Sequence, residues 1–359
     1  MIYEGARAVA PSYLGALGAT ALVVGLVFGL SEFVGLSLRL VSGVLADVTG
    51  AYWALYLLGY GLIISIPLLG LTNLWPVAVA LIFTERVAKG LRSPARDVLI
   101  SAVSKGVGAG KAFGLHELMD QIGAIAGPAL LGTILLLSPN DYSSAFLSLL
   151  IPYSVLLASL LYIYYKFRDV VLAERTTKFS LSGLPASFWL YTTAVFLNTA
   201  GLIHVSIIVL TSSEAFSSWM AAYLYVLMQA VDAVSAPLAG LAYDKAGRGI
   251  LYLPFLLSPV PSVATLLGGG NVLIAVIFFG LIYGMQESVY RAAVSDLVPM
   301  EVRGTAYGLF NTAYGLGFLV SGSLFGYFLY TGDVISGAAF SIVAQIIAVL
   351  ALYKSLHLD

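Results

Sequence analysis

Apolar residues in this chain come in runs of roughly twenty, separated by short polar or glycine-containing breaks, and each run but the first is long enough to cross a hydrocarbon core of about 30 Å. Backbone in lipid must satisfy its own hydrogen bonds, so such runs are helices or the strands of a closed barrel. No stretch shows the sustained apolar–polar alternation of a barrel strand, which leaves helices. The runs predict twelve of them, over 1–17, 20–46, 52–70, 75–92, 110–137, 143–165, 186–211, 217–242, 250–268, 272–294, 303–330 and 335–356. The longest polar stretch, 166–185, divides these into an N-terminal six-helix bundle (1–165), a linker and a C-terminal six-helix bundle (186–359). The first run is short: 17 residues make about 25 Å of helix. It predicts either a helix that begins inside the bundle or a start upstream of Met1.

Charge orients this arrangement. With the N-terminus inside, Lys105, Lys166, Arg168, Arg175, Lys178, Lys245, Arg248 and Lys354 fall in or at the edges of inner segments, while the outer loops contain no lysine or arginine. This is the asymmetry expected of a multi-pass protein of the cell membrane with both termini cytoplasmic. The apolar fraction of 60%, the charged fraction of 10% and the mean hydropathy of +0.97 agree with burial in lipid. The chain has no cysteine, and His116, His204 and His357 are scattered, so neither a metal site nor a cofactor is indicated. A net charge of −1 offers nothing to nucleic acid. No nucleophile–base pair and no phosphate-binding G-x-x-x-x-G-K-[ST] loop occurs, which argues against an enzyme and against ATP drive within this chain.

The two halves resemble each other. SGVLADVTG at 42–50 returns as AGLAYDKAG at 239–247, and AFGLHELMDQIGAIAGPALLG at 112–132 returns as AYGLFNTAYGLGFLVSGSLFG at 306–326. Parallel six-helix repeats imply a pseudo-twofold along the membrane normal with a site between the halves. Gly43, Asp47 and Gly50, repeated as Gly240, Asp244, Gly247 and Arg248, resemble the loop signature of the major facilitator superfamily, although the first copy lacks its basic residues. That resemblance covers nearly the whole chain. It implies an all-α fold of twelve transmembrane helices in two pseudo-symmetric bundles. It also implies gating contacts, with Asp47 facing the start of the eleventh helix near Gly304 and Asp244 the start of the fifth near Gly110. Arg86 and Gly90 resemble the family's R-x-x-x-G motif, in which the arginine is implicated in proton coupling. Gly114, Gly123, Gly127, Pro128 and Gly132 resemble the signature of its drug–proton antiporters, with Leu131 departing from it. Solvated helix ends and small-residue packing are the structural alternatives for these patterns.

Ionisable groups at membrane depth are rare and costly, so each is a candidate. Arg86, Asp120, Glu85, Glu32 and Asp232 are the coupling candidates, with Arg86 expected to hold Asp120 or Glu85. By the resemblance, helices 1, 4, 7 and 10 line a cavity, which adds Glu4, Arg7, Asn198, His204, Gln286, Glu287 and Arg291 as substrate candidates. Glu85 with Lys89, and Glu287 with Arg291, also have the spacing of internally neutralised pairs. The expectation is a monomeric secondary transporter working by alternating access among membrane lipids, with proton-coupled export of a small amphipathic or drug-like solute. Uptake of a small metabolite such as a sugar or organic acid, and a non-transporting sensor or scaffold, are the alternatives.

Overall fold

The apolar runs emerge as helices. The protein is described by a computed structural model over residues 1–103, 109–168 and 183–358; the side chains of 103, 109–114 and 301 lie outside that description. The helices are α1 (Ile2–Ala16), α2 (Ala21–Thr49), α3 (Tyr52–Leu71, tightening to 3-10 turns after Gly61), α4 (Trp75–Val103), α5 (Ala109–Leu137) and α6 (Tyr142–Phe167). Then come α7 in two pieces (Ala186–Gly201 and Val205–Ala215), α8 (Ser218–Ala246), α9 in two pieces (Tyr252–Leu257 and Pro259–Leu267), α10 (Val272–Leu297), α11 (Arg303–Thr331) and α12 (Val334–Leu356). No strand occurs among the described residues.

Nine stretches among the described residues are long and apolar enough to cross a membrane, with α8 and α9 counted as one. The helices outside that count are α1, which has 15 residues, and α4, which carries Glu85, Arg86, Lys89, Arg92, Arg96 and Asp97. The chain is thus an all-α integral membrane protein. One end of the bundle has loops without lysine or arginine and carries Asp141, Glu214 and Asp333; we call it the acidic end and the opposite one the basic end. The linker 166–185 lies mostly outside the described residues.

Two helices differ from the expectation. The fourth continues to Val103, eleven residues beyond the anticipated end at 92, straight through Pro94. Proline removes the amide that would bond the carbonyl of Gly90. Ser42 on α2 supplies the missing donor, its Oγ lying 2.7 Å from the Gly90 oxygen. The seventh is interrupted at 202–204, within a sequence that reads as unbroken apolar helix. Its loose backbone groups find side chains on neighbouring helices. Ser262 and Ser341 donate to the Gly201 carbonyl at 3.3 and 2.6 Å, Ser321 donates to that of Leu202, and the Ile203 amide donates to Ser262 at 2.9 Å. A break at membrane depth is tolerated where freed backbone groups find protein partners, as these do.

The seam between α2 and α11 runs the length of both helices. Gly25 packs on the carbonyl of Gly322, Gly29 on that of Phe318, and Gly315 against Phe33, so the backbones touch where any side chain would intrude. The helices α5 and α8 behave differently. They meet toward the acidic end, where Gly132 packs on Ala222 and Thr133 bonds Tyr223 at 2.9 Å. Nearer the basic end, Leu115, Glu117, Leu118, Met119, Asp120 and Ile122 are all exposed, which covers every face of α5. A helix bare on all sides has a gap on its inner face, so the bundle opens toward the basic end.

Candidate functional site

Charged side chains from α1, α2 and α4 converge in the interior. Glu32 on α2 lies between two guanidinium groups: Oε1 is 3.0 Å from Nη2 of Arg7 on α1 and 3.1 Å from Nη2 of Arg86 on α4. Both contacts are at ion-pair distance but out of hydrogen-bond alignment, so the attraction is Coulombic. Glu85 pairs with Arg92 at 3.0 Å, and its other oxygen lies 3.8 Å from Arg86 Nε. Arg7, Glu85, Arg86 and Arg92 are all buried. Charges this deep persist only when paired, and here each guanidinium has a carboxylate.

Tyr3 organises the cations. Its hydroxyl accepts from Arg86 Nη1. Its ring has Lys89 Nζ 3.6 Å from the centroid, Arg86 at 4.5 Å and Arg7 at 5.5 Å, distances at which a cation is attracted to an aromatic face. Lys89 therefore turns to Tyr3, and the expected Glu85–Lys89 pair is replaced by Glu85–Arg92, two helical turns apart. The cluster also reaches beyond the linker: Tyr225 on α8 donates to Glu4 at 2.6 Å, and Arg7 lies 5.9 Å from the ring of Tyr283 on α10.

On the far side, Asp232 of α8 is buried at 1% exposure, and its Oδ1 has no hydrogen-bond partner. It fits there because Gly284 on α10 has no side chain; a Cβ would come within 2.8 Å of that oxygen. The charged groups that act on it are Glu287, Glu4, Arg7 and Glu117. Glu287 and Arg291 are both exposed, toward the basic end of α10. His204 caps the second piece of α7, accepting from the Ser206 amide at 3.2 Å through Nδ1, and packs edge-on against Phe318.

Asp120 and Arg86 do not meet. The Asp120 side chain is exposed on the bare part of α5, and Arg86 has Glu32 and Glu85 as its carboxylate partners. The reason is rotational: Arg86 faces α1 and α2, away from α5. Asn198 also differs from a substrate ligand. Its Nδ2 donates to Ser258 and Gln345 at 3.0 and 2.8 Å, and its Oδ1 accepts from Gln286 and Tyr290 at 2.9 and 2.6 Å. Both ends of the amide are saturated, so Asn198 ties α7, α9, α10 and α12 together, with Gln286 as one spoke. Asn198→Ala is expected to lower stability by about 3 kcal/mol or more, because it leaves several buried polar groups unpaired. A fall in the unfolding temperature of the purified protein checks this.

The motif residues occupy turns and close approaches. Gly50 ends α2 with φ 68°, a left-handed conformation that suits glycine. Asp47 accepts from Tyr52 at 2.6 Å, and Gly43 faces Pro94. In the second copy Gly247 has φ 72°, Arg248 donates to the Asp296 carbonyl at 3.2 Å, and Gly240 packs on Ser288. Asp244 is exposed; its expected partner at the start of α5 lies outside the described side chains, as does Gly114. Gly123 and Gly127 seat the backbone of Met1, with Pro128 buried beside them, and Gly132 meets α8. Tyr3, Tyr225, Tyr283 and Arg92 also belong to the cluster, although no motif in the sequence marks them. Only Arg92 had a readable signal, its seven-residue spacing from Glu85 on one helix face.

The comparisons with known proteins agree with this architecture. The family model of the Major Facilitator Superfamily matches residues 2–322. An uncharacterized protein of Mycobacterium tuberculosis is 36% identical over 339 residues, which cover 91% of this chain and 83% of that protein. An uncharacterized MFS-type transporter of Methanocaldococcus jannaschii is 27% identical over 356 residues, covering 96% and 88%. Among solved structures, a mutant of the peptide transporter POT in complex with alafosfalin has a TM-score of 0.76 at 13% identity, covering 99% of this chain and 91% of that one. A mutant of the nucleoside transporter NupG gives 0.74 at 13% identity, covering 99% and 95%. At such identity the structural likeness is one of fold. With its buried charges gathered where the helices before and after the linker meet, and with the family model spanning most of its length, this chain belongs to the Major Facilitator Superfamily.

Proposed function

We propose that the protein is a proton-coupled secondary transporter that exports a small amphipathic solute by alternating access. It would act as a monomer, with its basic end in the cytoplasm. Transport as such follows from the family; coupling, direction and solute are our reading. The observation that carries it is the network Glu4–Arg7–Glu32–Arg86, which holds α1, α2 and α4 together and reaches α8 through Tyr225. Removing one negative charge from so dense a cluster changes the balance among its cations. The change passes to the other half through the Glu4–Tyr225 bond. Asp232, on the opposite wall with an unpartnered oxygen, can take up a cationic group of the solute. The gap toward the basic end and the glycine pattern of α5 support loading from the cytoplasmic side and export.

The test is efflux in reconstituted vesicles with ethidium as the probe, with and without an imposed pH gradient. Glu32→Gln is expected to keep downhill exchange and to lose accumulation against a gradient by about tenfold or more, the loss of one charged contact. Accumulation by Glu32→Gln at the wild-type rate would remove the coupling role from this network. Wild-type flux that ignores the pH gradient would remove proton coupling altogether.

A further inference from the structure

A cavity lies at the acidic end, apart from the charge network. Its volume is about 520 Å³, and its walls come from helices on both sides of the linker: Ser12 of α1, Tyr142 of α6, Glu214 of α7, Ser218 of α8 and Tyr330 of α11 among them. We propose that it is a ligand site in its own right and that it takes a small hydroxylated ammonium ion.

Three observations point there. The first is Glu214, the one charged residue of the cavity wall. It sits in the last turn of the second piece of α7, where the helix dipole opposes a negative charge, so helix stability does not account for it. The other two carboxylates of this end are employed. Asp141 and Asp333 cap α6 and α12, accepting from the Ser144 and Ser336 amides at 3.0 Å, and those bonds hold both carboxyls below the usual carboxylate range. Glu214 has no ion pair among the described residues, and the loops around it contain no lysine or arginine. The second observation is Ser12, a residue of the cavity lining at 3% exposure, whose buried hydroxyl has no hydrogen-bond partner. A buried polar atom left open calls for a partner. The third is the rest of the lining, in which the hydroxyls of Tyr142 and Ser218 bond each other across the two sides.

One negative charge within a ring of hydroxyls complements a single ammonium that carries its own hydroxyls. The volume falls within the range of small-molecule pockets. Calcium asks for six to eight oxygen ligands and is usually served by several carboxylates, so one carboxylate in so large a space does not suit it. Because the walls belong to both sides of the linker, an occupant ties them together and stabilises this arrangement.

The experiment uses the purified full chain in detergent and phosphate buffer, with Tris as the ammonium probe and glycerol as its neutral counterpart. A saturable rise in unfolding temperature is expected with Tris and not with glycerol. Glu214→Gln is expected to weaken the Tris response by about tenfold or more, the loss of a hydrogen bond to a charged group. Ala16→Trp, which intrudes into the cavity from an exposed wall position, is expected to abolish it. Glu32→Gln, in the central network, is expected to leave it in place. The assignment is overturned if wild type shows no saturable response to Tris, if glycerol matches Tris, or if Glu214→Gln responds like wild type. A response that survives Glu214→Gln and vanishes in Glu32→Gln also overturns it, by placing the ammonium in the central site.

Discussion

Arg86→Ala is expected to abolish transport and to remove much of the protein's stability. Arg86 is 2% exposed; it pairs with Glu32, approaches Glu85 and bonds Tyr3. Truncation leaves Glu32 with Arg7 alone and Glu85 with Arg92 alone, and it opens a space beneath the Tyr3 ring. Removing one partner of a buried ion pair costs about 3–5 kcal/mol, because the surviving charge is stranded away from water. The measurement is the unfolding temperature of the purified protein alongside ethidium flux in vesicles. The double variant Arg86→Ala with Glu32→Gln separates the two effects. It removes a positive and a negative charge together, so most of the stability is expected to return while coupled transport stays lost. A single variant with wild-type stability would mean that the network holds no stranded charge when opened.

Gly25→Ala is expected to be nearly as damaging, although it adds one methyl group. A Cβ at Gly25 would run into the Gly322 carbonyl, and a Cβ at Gly322 into that of Gly25. Backbone cannot swing aside as a long side chain can, so α2 and α11 must separate. Overpacking costs about 1–3 kcal/mol even where side chains can adjust. In lipid no hydrophobic effect draws the two helices back together, so close packing carries the seam. The chain has no cysteine, so a cysteine pair introduced across the α2–α11 seam reports its separation directly. Slower cross-linking and lower thermal stability are expected for Gly25→Ala. The control is Gly61→Ala, where no atom lies within 4 Å of the added carbon and cross-linking should match the parent. Equal cross-linking in both variants would contradict the close approach.

Much of the architecture follows from the sequence alone. Apolar runs of membrane length, the lysine- and arginine-free loops and the repeated glycine–aspartate turns suffice for an all-helical membrane protein of this family, because lipid permits so few backbone arrangements. The same logic marks Glu4, Arg7, Glu32, Glu85, Arg86 and Asp232 individually, since an ionisable residue inside an apolar run stands out. Which of them meet was decided only by the tertiary structure. An ion pair between α1, α2 and α4 depends on how each helix is rotated about its axis, and no local pattern records that rotation. Arg86 therefore found Glu32, with Glu85 close by, rather than Asp120, and Lys89 found the ring of Tyr3 rather than Glu85. The break in α7 was invisible for a related reason: Leu202, Ile203 and His204 continue an apolar run, and the serines that bond the opened backbone come from α9, α11 and α12. Asn198 was a cavity candidate because the family resemblance places the seventh helix at the cavity. The four partners that saturate it arrive from distant parts of the chain, and packing alone brings them within reach.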